Sequence, residues 1–402
     1  MKICLISCHS FLNPGGVKRH ILGLQQEFKK RGIYCKIIAP RRSAKENYGK
    51  DVILLGTSFP LPFSGGQADL GVNFNPAAIT KTLEKEKFDV LHFHNFGFPS
   101  IMQFLDRSEV LNILTFHANP DGSELLKNFP FILTAIQSIA NWKIHGIIGV
   151  ASLNVKVFKK YRGPKIVIPN GIDLQEFNPR FPKIKRFLDN KINLLFVGRF
   201  EKRKGLIYLL RAYKILQKKY DNLRLIVVGE GELKDRCQSY VQKNKLKEVH
   251  FVGSKSGEEL ISCYNTCDIF VSPAIFGESF GLVLLEAMAC QKPVVAFANR
   301  GYKELLCDKK GALLAKNKNP RDLAQKIERL VRSEKLRKKM GRIALKEAKE
   351  YSWDKVAGRI LKFYRFCQKE KEKKAAGRLA KNNFSLEEIL KKIEKVLGFK
   401  IF

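Results

Sequence analysis

The stretch GESFGLVLLEAMA, residues 277–289, places two carboxylates, Glu278 and Glu286, in an otherwise almost wholly apolar run. It follows CDIFVSP, which predicts a buried strand, and its own apolar residues predict a helix that begins near Phe280 or Gly281. Glu278 would then lie just outside the helix N-terminus and Glu286 one to two turns inside it. Because a buried helix start needs no acidic residues, the stretch indicates a ligand site where a strand gives way to a helix.

Strand-like and helix-like stretches alternate on both sides of that point. The apolar runs that predict strands are KICLIS, YCKIIAP, DVILLG, FDVLHFH, LNILTFH and HGIIGVA in the first half, and INLLFVGR, LRLIVVGEGE, VHFVG and KPVVAF in the second. Apolar residues at helical spacing predict helices between them, as in GGVKRHILGLQQEFKKRG. Near-continuous apolar strands are typical of parallel sheets that are covered on both faces. The predicted fold class is α/β, with two Rossmann-like doubly wound halves in tandem.

The length of the chain agrees with two domains. A chain of 402 residues exceeds what one hydrophobic core usually serves. The segment KIVIPNGIDLQEFNPRFPKIKRFLDN has three prolines and no sustained period, which predicts a linker. The predicted parts are an N-terminal domain over 1–173, a linker over 174–190, a C-terminal domain over 191–350, a helix over 351–367 that crosses back towards the N-terminal domain, and a basic tail over 368–402.

The composition predicts a cytoplasmic protein. The nine cysteines form no C-x-x-C pair, which suits a reducing compartment. Cys263 and Cys267 lie one helical turn apart, but no second pair completes a metal site, so we expect both to pack as small apolar groups. No apolar run reaches the ~18 residues of a membrane span. The first residues, MKICLISCHSFLNPGG, lack the long apolar core of a signal peptide.

The charge of the chain is strongly positive. Its 74 Lys and Arg outnumber its 38 Asp and Glu, for a formal net charge of +36. A net charge of this size can attract polyanions, or it can result from a lysine-rich background composition. Near the end, FSLEEILKKIEKVLGF combines a capping box, Ser385 with Glu388, with an apolar stripe and many lysines. This pattern predicts a basic amphipathic helix that either docks on the body of the protein or lies on an anionic membrane.

Two further stretches suit phosphate binding. In NPGGV, Gly15 and Gly16 remove side chains where a helix begins, although glycine turns of this kind are common. In VGRFEKRKG, Arg199 and Lys204 belong to a basic loop that could grip phosphate oxygens or simply be solvated.

The stretch GESFGLVLLEAMA could bind a whole nucleotide-sugar, including its ribose and its sugar. The backbone N–H groups of Gly281, Leu282 and Val283 begin a helix and so have no acceptor within it. A nucleotide-sugar could give its phosphates to those amides, ribose hydroxyls to Glu286 and sugar hydroxyls to Glu278.

With these residues in place, the chain resembles the retaining glycosyltransferases of the GT-B fold known as family 4, from Met1 to about Cys367. The motifs that carry the resemblance are PGGVKRHI, IPNGID, VGRFEKRKG, VGEGEL, SPAIFGESFGLVLLEAMACQKPVVA and YSWDKVA. The resemblance implies two Rossmann-like domains that face each other across a cleft. The residue roles that it implies are Arg199 and Lys204 on the donor diphosphate, Glu278 on the transferred sugar, Glu286 on the ribose, Gly16 against the phosphates, and His117 in LTFH on the sugar near the reacting bond.

Within that family, the N-terminal half is similar to the phosphatidylinositol mannosyltransferase subgroup. The similar stretches are PFSGGQADLGVNFNP, FDVLHFHNFGFPS and LTFHANP. His9 stands where the subgroup tends to have a tyrosine against the inositol ring, which leaves the acceptor open. Gln291 replaces a usual glycine and GYKELL a usual double-glycine turn, and we expect both to change only loop geometry.

The positions of the remaining histidines indicate their roles. His92 and His94 share one strand face and could suggest a metal pair, but no Asp-x-Asp occurs in the chain, and GT-B enzymes use basic residues and helix dipoles where others use a divalent cation. No metal is therefore predicted. His94, like His9, is expected on the acceptor side, His92 is expected to be packed, and His20 is expected at the surface or at the lip of the acceptor site.

The sequence thus predicts a retaining, metal-independent transfer of a hexose, mannose or glucose in type, from a UDP- or GDP-sugar to a lipid or glycan acceptor. No cofactor and no specific nucleic acid are expected, and a lipid acceptor would make the enzyme peripheral on the cytoplasmic face of an anionic membrane. Two alternatives remain open, a nucleotide-sugar 2-epimerase of the same fold and a non-enzymatic polyanion-binding protein. The second leaves the two glutamates and the Gly-Gly loop unexplained.

Overall fold

The computed structural model describes residues 1–12, 15–63, 66–73, 75–96, 100–118, 131–307 and 310–378. The chain divides into two compact units. The N-terminal unit is Met1–Gly171 together with the segment that begins at Trp353, and the C-terminal unit is Ile172–Ser352. Each unit contains a largely parallel sheet covered by helices, which confirms the predicted α/β class.

The sheet of the N-terminal unit has eight strands in the order β4-β3-β2-β1-β5-β6-β7-β8. The strands are β1 Lys2–Ser7, β2 Tyr34–Arg41, β3 Val52–Phe63, β4 Gly66–Val72, β5 Val90–His94, β6 Leu111–Phe116, β7 Gly146–Gly149 and β8 Lys165–Val167. All neighbours pair in parallel except β3 and β4, which form an antiparallel pair at one edge. The sequence predicted only the start of β3 and not β4. β8 lies at the start of the proline-rich segment but before the predicted linker bounds of 174–190, within the predicted N-terminal domain.

Alternating side chains of this sheet enter two cores. Ile3 and Leu5 pack on one face with the helix Gly16–Lys30, while Cys4 and Ile6 face the other. Each buried leucine or isoleucine side chain of this kind contributes about 1.5–3 kcal/mol. The helices of this unit are Gly16–Lys30, Pro76–Glu86, Ser100–Asp106, Phe131–Lys143, Ser152–Lys156 and Trp353–Arg378.

The C-terminal unit has a six-stranded, wholly parallel sheet in the order β11-β10-β9-β12-β13-β14. Its strands are β9 Ile192–Val197, β10 Leu223–Val228, β11 Val249–Phe251, β12 Ile269–Ser272, β13 Val294–Phe297 and β14 Ala312–Ala315. Its helices are Leu206–Gln217, Lys234–Lys243, Gly257–Thr266, Leu282–Ala289, Arg300–Leu306, Pro320–Val331 and Glu334–Ala348, with 3₁₀ turns at Lys185–Phe187, Lys202–Lys204 and Lys349–Tyr351. This strand order is that of a Rossmann fold.

The last described helix extends further than predicted. The sequence predicted that it ends at residue 367, before the basic tail, whereas it runs over Trp353–Arg378. Val356, Ile360 and Tyr364 anchor it in the core of the N-terminal unit. The predicted tail helix that begins at Ser385 lies outside the described residues. Among the helices that the structure describes, none is long and apolar enough to cross a membrane.

Candidate functional site

The predicted donor residues follow two neighbouring strands of the C-terminal unit. The strand order of that sheet reverses between β9 and β12, and ligands of such sheets bind beyond the carboxyl ends of the strands at this reversal. Arg199 and Lys204 follow β9, while Glu278 and Gly281 follow β12. The topology therefore places these predicted residues where a doubly wound sheet binds its ligand.

Three cations and two carboxylates form one ion-pair network there. Lys204 Nζ lies 2.6 Å and Arg203 Nη1 lies 2.9 Å from Glu278 Oε1. Arg203 Nε also donates to Glu201 Oε2 at 2.7 Å, and Arg199 Nη1 lies 2.9 Å from Glu201 Oε1. The side chain of Arg199 is 56% exposed, whereas those of the other four are largely buried. The network has one more cation than carboxylate and presents an accessible guanidinium, which suits an anionic ligand.

Glu278 remains ionised in this environment. Burial by itself raises the pKa of its carboxyl, but the adjacent Lys204 and Arg203 cations together outweigh burial, so the net pKa lies below its ordinary value. The carboxylate is therefore an acceptor for hydroxyl groups rather than a proton donor at neutral pH.

Two glycines allow this arrangement. Gly205 ends the 3₁₀ turn Lys202–Lys204 with a φ of 70°, and a Cβ there would lie 2.0 Å from the carbonyl oxygen of Pro273. A Cβ on Gly301 would lie 2.1 Å from the carbonyl oxygen of Glu278. A side chain at either position would displace the loops that carry Lys204 or Glu278.

The helix Leu282–Ala289 begins directly after this network, as predicted. Gly281 is its N-cap with a φ of 91°, and the first turn holds no acidic residue. The backbone N–H groups of such a first turn have no acceptor within the helix and carry a partial positive charge. Glu286 lies within the helix and is 2% exposed, and its Oε2 accepts a hydrogen bond from the Tyr264 hydroxyl at 2.6 Å.

Gln291 and the GYKELL stretch, where the chain departs from the family pattern, have different structural roles. Gln291 follows the C-terminus of this helix with a φ of 61°, so it adopts the left-handed conformation that glycine favours. The GYKELL stretch contributes a buried side chain, Tyr302, to the site. Tyr302 is fully buried, its hydroxyl lies 2.9 Å from that of Ser272, and a Cβ on Gly281 would lie 2.5 Å from its ring. Tyr302 therefore packs against the start of the donor-site helix.

Three histidines of the N-terminal unit come together near the reversal of its sheet, between β1 and β5. His94 ends β5, His117 follows β6, and His20 lies on the helix Gly16–Lys30. His94 Nδ1 lies 3.2 Å from His117 Nε2, and the His20 and His117 rings meet edge to face with centroids 4.7 Å apart. His20 is 2% exposed, so the expectation that it lies at the surface or at an acceptor lip is wrong. The helix turns it inward, onto the other two imidazoles and the ring of Trp353.

Asn95 connects the predicted acceptor residue His9 to His117. Its Oδ1 accepts a hydrogen bond from the backbone N–H of His117 at 2.8 Å, and its Nδ2 lies 3.3 Å from His9 Nε2. His9 is half-buried, whereas His94 is fully buried and offers no surface to an acceptor in this structure. His92 is packed as predicted, hydrogen-bonded to Thr115 and Tyr364.

These imidazoles are neutral at physiological pH. Burial lowers the pKa of His20 to about 4, against a smaller opposing effect of its hydrogen bond to Asn170. Burial, followed by neighbouring histidines, lowers the pKa of His94 and His117 well below the ordinary value. His117 can therefore exchange a hydrogen bond with a sugar but does not carry a positive charge to it.

Gly16, predicted to lie against phosphate, is the first residue of its helix, and the N-cap Gly15 is extended. The two residues before Gly15 lie outside the described residues, so the Gly-Gly loop is described only in part.

The family known as Glycosyltransferase Family 4 matches residues 14–176, and the family described as Glycosyl transferases group 1 matches residues 177–347. A phosphatidyl-myo-inositol mannosyltransferase of Mycobacterium leprae is 31% identical over 371 residues, which cover 90% of this chain and 96% of that protein. The chain belongs to glycosyltransferase family 4. It is therefore a glycosyltransferase, an enzyme that transfers a sugar, as the motifs predicted.

Solved structures agree on the fold of this family 4 glycosyltransferase. The sucrose-phosphate synthase of Thermosynechococcus elongatus has a TM-score of 0.73 at 18% identity, over 91% of this chain and 98% of that one. Anabaena HepE in complex with UDP-glucose has a TM-score of 0.70 at 17% identity, over 90% of this chain and 99% of that one. These likenesses show the GT-B fold, which confirms the predicted architecture.

Several residues that position the predicted site residues were not identified from the sequence. Arg203 and Glu201 lie within the quoted motif VGRFEKRKG, and the single acid among its cations is a signal of an internal ion pair. Asn170 lies within IPNGID, whose role was not assigned. Tyr264 and Asn95 act across the fold, and no local spacing indicates their partners.

Proposed function

We propose that this glycosyltransferase transfers a hexose from a nucleotide diphosphate sugar to a lipid or glycan hydroxyl and retains the anomeric configuration. The C-terminal unit binds the donor and the N-terminal unit binds the acceptor. The observation that carries the proposal is the ion-pair network of Arg199, Arg203 and Lys204 with two carboxylates, next to the N-terminus of the helix Leu282–Ala289.

The network is suited to a donor because its cations can exchange partners. A diphosphate that approaches Arg199 and Lys204 competes with Glu201 and Glu278 for them. Arg203 contacts both carboxylates and can keep Glu278 compensated when Lys204 turns to the ligand. Glu278 is then available to the hydroxyls of the transferred sugar. Glu286, held by Tyr264, is assigned to the ribose.

The chemistry is mainly electrostatic. The acceptor oxygen attacks the anomeric carbon from the side of the leaving group, the bond from that carbon to the diphosphate breaks, and a phosphate oxygen of the leaving group takes the acceptor proton. Arg199, Lys204 and the helix N-terminus stabilise the negative charge that develops on the diphosphate. These groups supply the positive charge that a divalent cation supplies in other transferases, so we propose that the donor reaction needs no metal. His117 hydrogen-bonds to the sugar as a neutral imidazole.

The proposed acceptor is a hydroxyl group of a lipid or a glycan. The mycobacterial relative is by name a mannosyltransferase acting on phosphatidyl-myo-inositol, which favours a hexosyl donor and a polyol headgroup. His9, in place of a tyrosine, is held by Asn95 and brings a hydrogen-bonding imidazole to the acceptor side.

A lipid acceptor would bring this enzyme to the cytoplasmic face of a membrane. The formal charge of +36 favours an anionic surface, which attracts basic segments by about 1 kcal/mol per Lys or Arg. Binding to anionic liposomes that weakens steeply with salt would support this location, and no binding at low salt would direct the search to soluble glycans.

One assay separates the proposal from its alternatives. The full chain is incubated with labelled UDP- and GDP-sugars and a membrane extract, and the nucleotide, the sugar nucleotide and the labelled products are separated. A transferase releases the nucleoside diphosphate and labels a lipid or glycan. A 2-epimerase produces an isomerised sugar nucleotide without a labelled acceptor, and a polyanion-binding protein does neither.

A further inference from the structure

The three imidazoles of His20, His94 and His117, here called the histidine cluster, also have the geometry of a metal site. One nitrogen atom from each lies within 4.8 Å of those of the other two. The three residues come from a helix, a strand end and the segment after another strand, so the sheet and its covering helix fix their spacing. All three belong to the N-terminal unit, whereas the residues of the ion-pair network belong to the C-terminal unit.

The hydrogen bonds around the histidine cluster leave two buried imidazole nitrogens without a partner among the described residues. Asn170 Oδ1 can only accept, so its 2.8 Å contact makes His20 Nδ1 the protonated nitrogen and leaves a lone pair on Nε2. Among the residues that the structure describes, His20 Nε2 and His94 Nε2 are buried and have no hydrogen-bond partner. An unpaired buried polar atom is costly, and a metal ion would satisfy both. A histidine that binds a metal through one nitrogen usually donates its other N–H to an oxygen, as His20 does.

The chemistry of the cluster selects the kind of ion. Neutral imidazoles bind zinc, copper, cobalt and nickel, whereas magnesium and calcium prefer oxygen ligands. Zinc–nitrogen distances of about 2.0–2.1 Å place tetrahedral ligands about 3.4 Å apart, so side-chain rotations must close the spacing. Closure also replaces the 3.2 Å contact between His94 and His117. His117 is half-buried and gives the ion a path from solvent.

We propose that His20, His94 and His117 bind one divalent transition-metal ion, such as Zn²⁺, and that the bound ion inhibits sugar transfer. Three protein ligands leave the fourth position of a tetrahedral ion for water. Inhibition rests on the proposed function, because the ion occupies the imidazole of His117 that is assigned to the sugar. Metal binding itself does not depend on the reaction.

Binding is tested directly with Co²⁺, whose visible absorption reports nitrogen coordination. Tag-free full-length protein, cleared of metal by chelator and dialysis, is titrated with Co²⁺ and then with Zn²⁺ as competitor. We expect one equivalent of Co²⁺ to bind with tetrahedral absorption and Zn²⁺ to displace it. Trp353, next to His20, provides a second signal through quenching of its fluorescence.

Variants connect binding to the cluster. His20→Ala is expected to weaken Co²⁺ binding at least ~100-fold, and Asn170→Ala, which keeps all three ligands, by ~10–100-fold. His250→Ala is the matched control, because His250 lies in the C-terminal unit beside Glu248 and should leave binding unchanged. The proposal is overturned if no stoichiometric binding occurs, or if His20→Ala and Asn170→Ala, both folded by circular dichroism, bind like the wild type.

The inhibitory part has its own readout. One equivalent of Zn²⁺ should reduce sugar transfer by the wild type, and excess EDTA should restore it. Full activity with Zn²⁺ bound would refute inhibition while leaving the metal site in place. Absence of any transfer activity would instead refute the proposed function and leave the binding result intact.

Discussion

Lys204 Nζ and Glu278 Oε1 lie 2.6 Å apart, which pairs the cation assigned to the donor diphosphate with the carboxylate assigned to the transferred sugar. Their ion pair means that donor binding has to exchange one set of contacts for another. The neighbouring Arg203, 2.9 Å from the same oxygen, makes this exchange possible without leaving a buried carboxylate uncompensated.

Substitution of the two glutamates should separate sugar from nucleotide recognition. Glu278→Gln is expected to abolish turnover and leave nucleotide affinity unchanged or higher, because Lys204 loses a competing carboxylate. Glu286→Ala is expected to weaken nucleotide binding ~10-fold or more, as loss of a hydrogen bond to a charged group typically does. Calorimetric titration with UDP and GDP, beside turnover measurements, checks both. If the two effects are reversed, the donor lies in the opposite direction.

Removal of divalent ions should not stop the transfer reaction. In the proposed mechanism, Arg199, Lys204 and the N-terminus of the helix Leu282–Ala289 supply the positive charge at the diphosphate. Activity after treatment with excess EDTA should therefore equal or exceed that of the untreated enzyme. Strict dependence on added Mg²⁺ or Mn²⁺ would contradict the donor mechanism.

The buried histidines should make the stability of the N-terminal unit depend on pH. The pKa of His20 falls to about 4 on burial, and those of His92, His94 and His117 lie well below 6.5. Below pH 6.5 the unfolded chain binds protons that the folded unit does not. Their contribution is therefore fully present above pH 6.5 and lost towards pH 4, at up to about 1.4 kcal/mol per pH unit for each histidine.

Tryptophan fluorescence measures this effect selectively, because both tryptophans of the chain, Trp142 and Trp353, belong to the N-terminal unit. Urea unfolding at about pH 7.5 and about pH 5.5 should show a lower midpoint at the lower pH, since histidine titrates between them. His20→Gln should reduce the difference, and His250→Ala should not. Equal midpoints at both pH values would show that these histidines are not kept neutral by folding.

The backbone at Gln291 offers a stabilising substitution. Its φ of 61° costs a residue with a side chain about 1 kcal/mol relative to glycine. Gln291→Gly should therefore raise the free energy of unfolding of the C-terminal unit by about that amount in differential scanning calorimetry. Gln291→Ala is the control, because it removes the side chain but retains the Cβ. An equal gain from alanine would assign the effect to the side chain instead of the backbone.

The sequence predicted the parts of the fold that depend on local pattern. Buried parallel strands are continuous apolar runs, so β1, β5, β9 and β12 were predictable. The edge strand β4 was not, because it pairs antiparallel with β3 and carries no such run. The helix that begins at Trp353 continues past its apolar stripe into charged residues that have no apolar period to indicate a helix.

The candidate site was predictable to the same degree. Arg199, Lys204 and Glu278 belong to motifs, so the sequence identifies them without the fold. Arg203 could not be distinguished from its basic neighbours, because its contact with Glu278 joins segments that lie 75 positions apart in the sequence. His20 was misplaced because helical spacing gives the face of a residue but not what the helix packs against.

Two lysines of the same 3₁₀ turn provide the sharpest test of the assignment of the ion-pair network to the donor. Lys204 forms an ion pair with Glu278, whereas the side chain of Lys202 is exposed to solvent. With the donor and acceptor identified from the membrane extract, Lys204→Ala should reduce the rate of hexose transfer at least ~100-fold, as loss of a transition-state donor does, and Lys202→Ala should leave it near the wild-type rate. A wild-type rate in Lys204→Ala, or equal losses in both variants, would contradict the assignment of this network to the donor diphosphate.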